Sequence, residues 1–343
     1  MTTAPDRALT ALHGLLTGRG LELPPNAPKD GWASDEVLDR IWETRPFAVA
    51  AALTEQVHGV LPLLDAFDAG APLLDDIRAG HVTAALGLFT PNALLSLTAP
   101  AVRAGGRTLL HGRYRYATQD AEASVVPVRL DKATRLALVT HDAAGVRLHG
   151  AGRAAGWGWA ELDGAPAAAL SRPVDWAPGG ELTAALDAYA WAFSRRALAW
   201  PARVVADLRR ALARAGEGVE ALSTSQYLAH ELSKLEIEIS LASAAARFGA
   251  GFKTEEPGGQ AALATLLSTV DLIRRTARTA EDMATELGLE HSPAGVADRP
   301  DAADWPDAAD WPDAALQAYF GGRRVVENEL ARRMGLVPEA VGA

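Results

Sequence analysis

Between about residues 34 and 97 the apolar positions recur at helical spacing. Ser34 is placed to cap, and Glu36, Val37, Leu38, Ile41 and Trp42 follow at intervals of one, three and four. The stretch Phe47 to Leu53, and then Val57, Val60, Leu61 and Leu64, carries the pattern on. The chain before about residue 30 holds Pro24, Pro25 and Pro28 and reads as a short helix followed by a loop.

From about residue 98 to 172 the period changes to two. Arg107 to Thr118 (RTLLHGRYRYAT) alternates and is rich in β-formers, and Ala123 to Leu130, Arg135 to Thr140 and Val146 to His149 are short strand-like runs. Gly105, Gly106, Gly145, Gly152 and Gly156 punctuate them. Short strands with regular turn signals predict an all-β unit, a small barrel or sandwich.

From about residue 181 to 337 the helical period returns. Thr183 to Ala215 is one long amphipathic pattern in which Pro201 predicts a kink or a helix end. Ser223 and Gln226 have the spacing of a capping box. Leu228, Leu232, Leu235, Ile239 and Ala242 then mark one face of a helix that Gly249 would stop. Ala261 to Leu287 forms another long helix before Gly288, and Arg324 to Met334 a last one. The order is helical, β, helical, with an antiparallel bundle at the end.

Composition narrows the function. The chain has 343 residues and a net charge of −10, and its only lysines are Lys29, Lys132, Lys234 and Lys253. That balance argues against nucleic-acid binding, which needs clustered cations. The absence of Cys excludes disulfides, thiolate zinc sites and cysteine nucleophiles. No apolar run approaches the length of a membrane span or a secretory signal, so the chain reads as cytoplasmic.

The common catalytic motifs do not occur. There is no Walker A loop, HExxH pair or Gly-x-Ser-x-Gly elbow, and the eight His residues lack ligand spacing, so no metal site is expected. The run Gly150-Ala-Gly152-Arg-Ala-Ala-Gly156 has the wrong last spacing for a dinucleotide fingerprint and reads as a turn. Residues 301–306 and 307–312 repeat Asp-Ala-Ala-Asp-Trp-Pro. The repeat reads either as a solvated acidic loop or as a docking segment anchored by Trp305 and Trp311.

Four segments in register resemble the acyl-CoA dehydrogenase family, flavoenzymes that desaturate acyl thioesters. Leu88-Phe-Thr-Pro-Asn-Ala93 resembles the family's Leu-Thr-Glu-Pro-x-Ala stretch. Leu110-His-Gly-Arg-Tyr-Arg-Tyr-Ala-Thr-Gln-Asp-Ala121 resembles its Leu-x-Gly-x-Lys-x-Trp/Tyr-Ile-Thr-Asn-Ala run. Leu222 to Leu232 resembles the Ile-Gly-x-Phe-Gln-x-x-x-His-x-Leu start of a C-terminal helix, and Ala318 to Asn328 the Ile-Tyr-Glu-Gly-Thr-x-Glu-Ile-Gln segment. The resemblance runs from about residue 35 to 337. It implies an α+β chain with an N-terminal helical domain over 1–85, a middle β domain over 86–178 and a C-terminal helical bundle over 179–343.

The resemblance also implies a chemistry. A thioester acidifies its α-carbon, a carboxylate removes that proton, and FAD takes hydride from the β-carbon. It places Phe89, Thr90, Tyr116, Thr118, Arg214, Gln226 and Arg323 on the cofactor. For Tyr116 and Thr118, packing within the β domain is an equal alternative. Gln226 also reads as a helix cap, and Arg323 with Arg324 as solvated surface. The family's base position holds Phe320, which cannot take a proton. The alternative base position falls near Tyr189, with Asp187 two residues away. The family's Arg-x-x-Phe-Gly has become Ala215-Gly-Glu-Gly-Val219.

Three functions remain open on the sequence. The chain is the base-lacking subunit of a heteromeric FAD-dependent complex, a dimer or tetramer with a homologous acyl-CoA dehydrogenase subunit. Or it is a self-sufficient FAD enzyme acting on acyl-CoA or acyl-carrier thioesters with Asp187 or Tyr189 as base. Or it is a flavin-free scaffold.

Overall fold

The computed structural model describes residues 38–39, 41–42, 47–67, 71–87, 99–116, 121–150, 158–175, 180–215, 221–251, 260–287 and 323–336. The first helical stretch is shorter and more broken than its periodicity predicts. Helix α1 (Phe47–Thr54) runs without a break into a π turn (Glu55–Val60) and a 3-10 turn (Leu61–Ala66), and α2 follows (Pro72–Ala79). Pro62 and Pro72 each sit in a first turn, where no helical hydrogen bond is lost. Residues 84–86, inside the stretch read as helical, form strand β1 instead. All three are buried, so the strand has no polar face to give it a period of two.

The β unit holds β2 (Ala99–Ala104), β3 (Arg107–Tyr116), β4 (Ala123–Leu130), β5 (Ala133–Thr140), β6 (Val146–Gly150), β7 (Gly158–Pro166) and β8 (Ala169–Pro173). They lie in the order β6-β7-β3-β2-β4-β5-β8, and β1 pairs in parallel with β4. Two tight hairpins set the register. Gly105 and Gly106 (φ 54° and 75°) join β2 to β3, and Asp131 and Lys132 (φ 52° and 64°) join β4 to β5. Positive φ at both central residues matches the right-handed twist of the strands.

The sheet folds over its own core of Leu110, Tyr114, Val126, Val128, Val139, Ala160 and Leu162. The alternate positions on β4 and β5, Val125, Leu136 and Leu138, face a second core shared with α1, the two turns and the C-terminal helices. Gly87, just past β1, is pinned between these strands. A Cβ there would lie 2.6 Å from Tyr114 Cδ2 and 2.8 Å from Val126 Cγ2. Gly87→Ala is therefore expected to destabilise the chain by about 1–3 kcal/mol, read as a lower urea midpoint.

The C-terminal part contains α3 (Glu181–Ala197), α4 (Ala199–Ala215), α5 (Ala221–Gly251), α6 (Gln260–Glu286) and α7 (Arg323–Arg333). The break predicted at Pro201 falls at Leu198, and Pro201 occupies the first turn of α4. Ser223 and Gln226 both lie inside α5, so they are not its cap, and α5 passes Gly249 to end at Gly251. A bundle core of Leu208, Leu228, Leu232, Leu235, Ile239, Leu272 and Met283 joins α4, α5 and α6. Asp39 ties the first helical residues to α3 through Arg196, at 2.8 Å. Among the described residues, no helix is long and apolar enough to cross a membrane, and no group of His, Asp and Glu could hold a metal.

Candidate functional site

Of the residues implicated by sequence, Asp187 and Arg323 meet the same element, the last helix. Arg333 near its C-terminal end has a fully buried side chain. It donates from Nη1 to Asp187 on α3 at 2.5 Å and from Nε to Glu329 at 2.8 Å. Glu329 also accepts two hydrogen bonds from Arg332, at 2.8 and 2.7 Å. Gln260 at the start of α6 donates from Nε2 to the Arg333 carbonyl at 3.0 Å. At the other end of α7, Arg323 forks onto both oxygens of Asp271 on α6, at 2.6 and 3.0 Å, and reaches Glu327 at 2.7 Å. Bidentate geometry of this kind is what the planar guanidinium favours.

The electrostatics follow from burial and partners. Burial pushes the Asp187 carboxyl up to about 6, against the opposing pull of Arg333. The Arg323 hydrogen bond holds Asp271 below the usual carboxylate range, and Asp271 and Glu327 in turn raise Arg323. Tyr189 lies two residues from Asp187 but serves a different region. Its buried ring packs edge-on to Phe193 at 6.3 Å, and Phe193 packs edge-on to Trp42 at 5.7 Å. The structure does not bring Asp187 and Tyr189 to one reacting point.

The remaining candidates are scattered. Gln226 is exposed on α5. Tyr116 ends β3, paired with Gly158, and Arg214 falls at the end of α4. Phe89, Thr90, Thr118, Phe320 and the Trp-Pro repeat lie outside the described residues. A pocket of about 330 Å³ opens between the 3-10 turn, β8 and α3, with the Arg172–Glu181 ion pair among its lining residues. None of the sequence-predicted site residues lines it.

Two buried polar groups escaped the sequence reading. Glu55 on the π turn accepts the Leu86 N–H at Oε1, and its neighbour Gln56 accepts the Ala84 N–H, each at 3.0 Å. Burial pushes the Glu55 carboxyl up to about 8, so it holds its proton at neutral pH. His141, lowered to about 4 by burial, lies with Nε2 2.8 Å from Ser124 Oγ. Ser124 is fully buried, which keeps the pair from acting as a nucleophile and base on a substrate.

No family model matches the chain, and no curated protein does. Solved structures match it over nearly its whole length. Glutaryl-CoA dehydrogenase from Mycobacterium smegmatis is 17% identical with a TM-score of 0.68, covering 96% of this chain and 87% of its own. The prolyl acyl carrier protein oxidase AnaB is 14% identical at 0.69, covering 96% and 89%. Butyryl-CoA dehydrogenase from Megasphaera elsdenii is 15% identical at 0.68, covering 96% and 88%. The chain has the acyl-CoA dehydrogenase fold. The expected α+β architecture, with its central β unit and C-terminal helices, is therefore the observed one.

An acyl-CoA dehydrogenase fold implies FAD, and two of the residues implicated in holding it have described side chains. The Arg323 guanidinium is taken up by Asp271 and Glu327, and Gln226 points outward from α5. Neither is arranged to hold a flavin nucleotide within this chain alone.

Proposed function

We propose that this chain is the base-lacking subunit of a two-chain, FAD-dependent assembly that desaturates acyl thioesters. The observation that carries the proposal is the Arg333–Asp187 ion pair. A general base must reach the substrate's proton. Asp187 instead spends its carboxylate on the last helix. Phe320 occupies the position where the resemblance would put the base. Tyr189 is sealed in the core. On this reading the FAD and the proton-abstracting carboxylate belong to a homologous partner, and this chain completes the interface around them.

Helix α5 supports the same reading. Tyr227, Ile237 and Leu241 are 64%, 61% and 66% exposed, and with His230 and Lys234 they occupy one outward face of the helix. The inward face carries Leu228, Leu232, Leu235 and Ile239. An apolar row on the outside of a bundle suits burial against another chain. Changing Ile237 and Leu241 together to Glu is expected to leave the isolated chain folded by circular dichroism. It is expected to shift the assembly to smaller species in sedimentation.

The direct test recovers the tagged full-length chain from its own cells. Recovery with FAD and a homologous chain of the same fold, in about equal amounts, supports the proposal. A homo-oligomer that oxidises acyl thioesters with no second chain overturns it. So does loss of turnover, with FAD and assembly retained, on Asp187→Asn, because that outcome makes Asp187 the base.

A further inference from the structure

The junction between the N-terminal helices and the β unit is held by side chains in place of a neighbouring strand. β1 pairs with β4 along one edge. Its N–H groups at Ala84 and Leu86 point away from β4 and toward the π turn, where Gln56 and Glu55 accept them. Two adjacent side chains therefore satisfy two alternate donors of one strand, a job that another strand's carbonyls would ordinarily do. A π turn is an uncommon way to present consecutive side chains to one strand, and such turns recur at functional positions. Glu55 is fully buried, and its second oxygen has no hydrogen-bond partner.

We propose that Glu55 is a proton-operated fastener: neutral, it holds β1 to the π turn, and on losing its proton to solvent it releases the strand. The neutral carboxyl fits a packed junction, whereas an ionised one must be hydrated, and among the described residues no cation is paired with it. The elements packed against the π turn bear this out. α1 and β1 contain no charged residue. Asp65 on the 3-10 turn is turned to solvent, and on α3 Glu181 is paired with Arg172, Asp187 with Arg333, and Arg195 and Arg196 with Asp39. The titratable neighbours are His58 on the turn itself and Tyr189, whose ring lies against Gly59. Buried, Glu55 keeps its proton up to about pH 8, whereas once released it ionises like an ordinary carboxylate, so release grows easier as pH rises toward about 8.

Hydrogen exchange on the full chain tests this. Amide protection at residues 84–86, corrected for intrinsic exchange, is followed from pH 6.5 to 9.5 in the wild type and in Glu55→Gln. The wild type is expected to lose up to about tenfold in protection per pH unit from pH 6.5 to about 8 and to level off above it, and the variant to stay flat. Flat protection in the wild type overturns the proposal, as does an equal fall in both proteins. Carbon-13 titration of glutamate-labelled wild type needs no variant. One carboxyl titrating near pH 8 supports the proposal, and all titrating near their ordinary value overturns it.

Discussion

Replacing Arg333 by Leu is expected to destabilise the folded chain by about 3–5 kcal/mol, the usual cost of removing one partner from a buried ion pair. The side chain is fully enclosed and bridges Asp187 on α3 to Glu329 on α7. Leu occupies only part of the volume and leaves Asp187 without its cation, while Glu329 keeps its pair with Arg332. Asp187, already raised to about 6 by burial, would rise further without the Arg333 charge. Urea unfolding at pH 7 reads the loss, and limited proteolysis shows whether the last helix is released first. Arg323→Leu at the other end of α7 is the internal comparison. Its pair with Asp271 is much more exposed to water, so the cost should be under about 1 kcal/mol.

The second large effect concerns pH. The folded-state pKa of Glu55 is raised from 4.5 to about 8. The folded chain therefore keeps a proton that the unfolded chain has already lost. Stability associated with this residue is complete below about pH 4.5, declines as pH rises, and is gone above about pH 8. At 1.36 kcal/mol per pKa unit the span is on the order of 5 kcal/mol. Glu55→Gln keeps an acceptor for the Leu86 N–H and has no proton to lose. The variant's stability relative to wild type is thus expected to climb steadily between pH 5 and 8, as read from urea midpoints. A constant difference across that range would mean that Glu55 ionises as an ordinary carboxylate.

The roles of these two residues were not legible in the sequence, whereas much of the fold was. β3 announces itself by alternation, and β4, β5 and β6 as short strand-like runs between turn residues; all four lie where the sequence puts them. The helices α6 and α7 were equally plain, because one face of each is apolar or a turn residue closes it. β1 was missed because three residues buried on every side leave no period to read. β7 was not picked out as a strand because its Gly and Ala residues give small side chains at inward positions, as with Ala160 and Ala165. The Arg333–Asp187 pair joins residues 146 apart, so no local spacing reveals it. Glu55 stands in an amphipathic run where an acidic residue ordinarily marks the solvated face. Only the π turn, which the pattern does not signal, rotates it inward.

On the proposed function, this chain works as a flavoenzyme only with a partner. The most direct measurement is the visible absorption spectrum of the purified chain, incubated with FAD and desalted, alone and then with the homologous chain recovered beside it. No retained flavin band is expected from this chain alone. With the pair, a band is expected that bleaches when an acyl thioester is added. A chain that by itself keeps FAD and is bleached by the thioester would contradict the proposed function, and would send the search for a base back to this chain's own carboxylates.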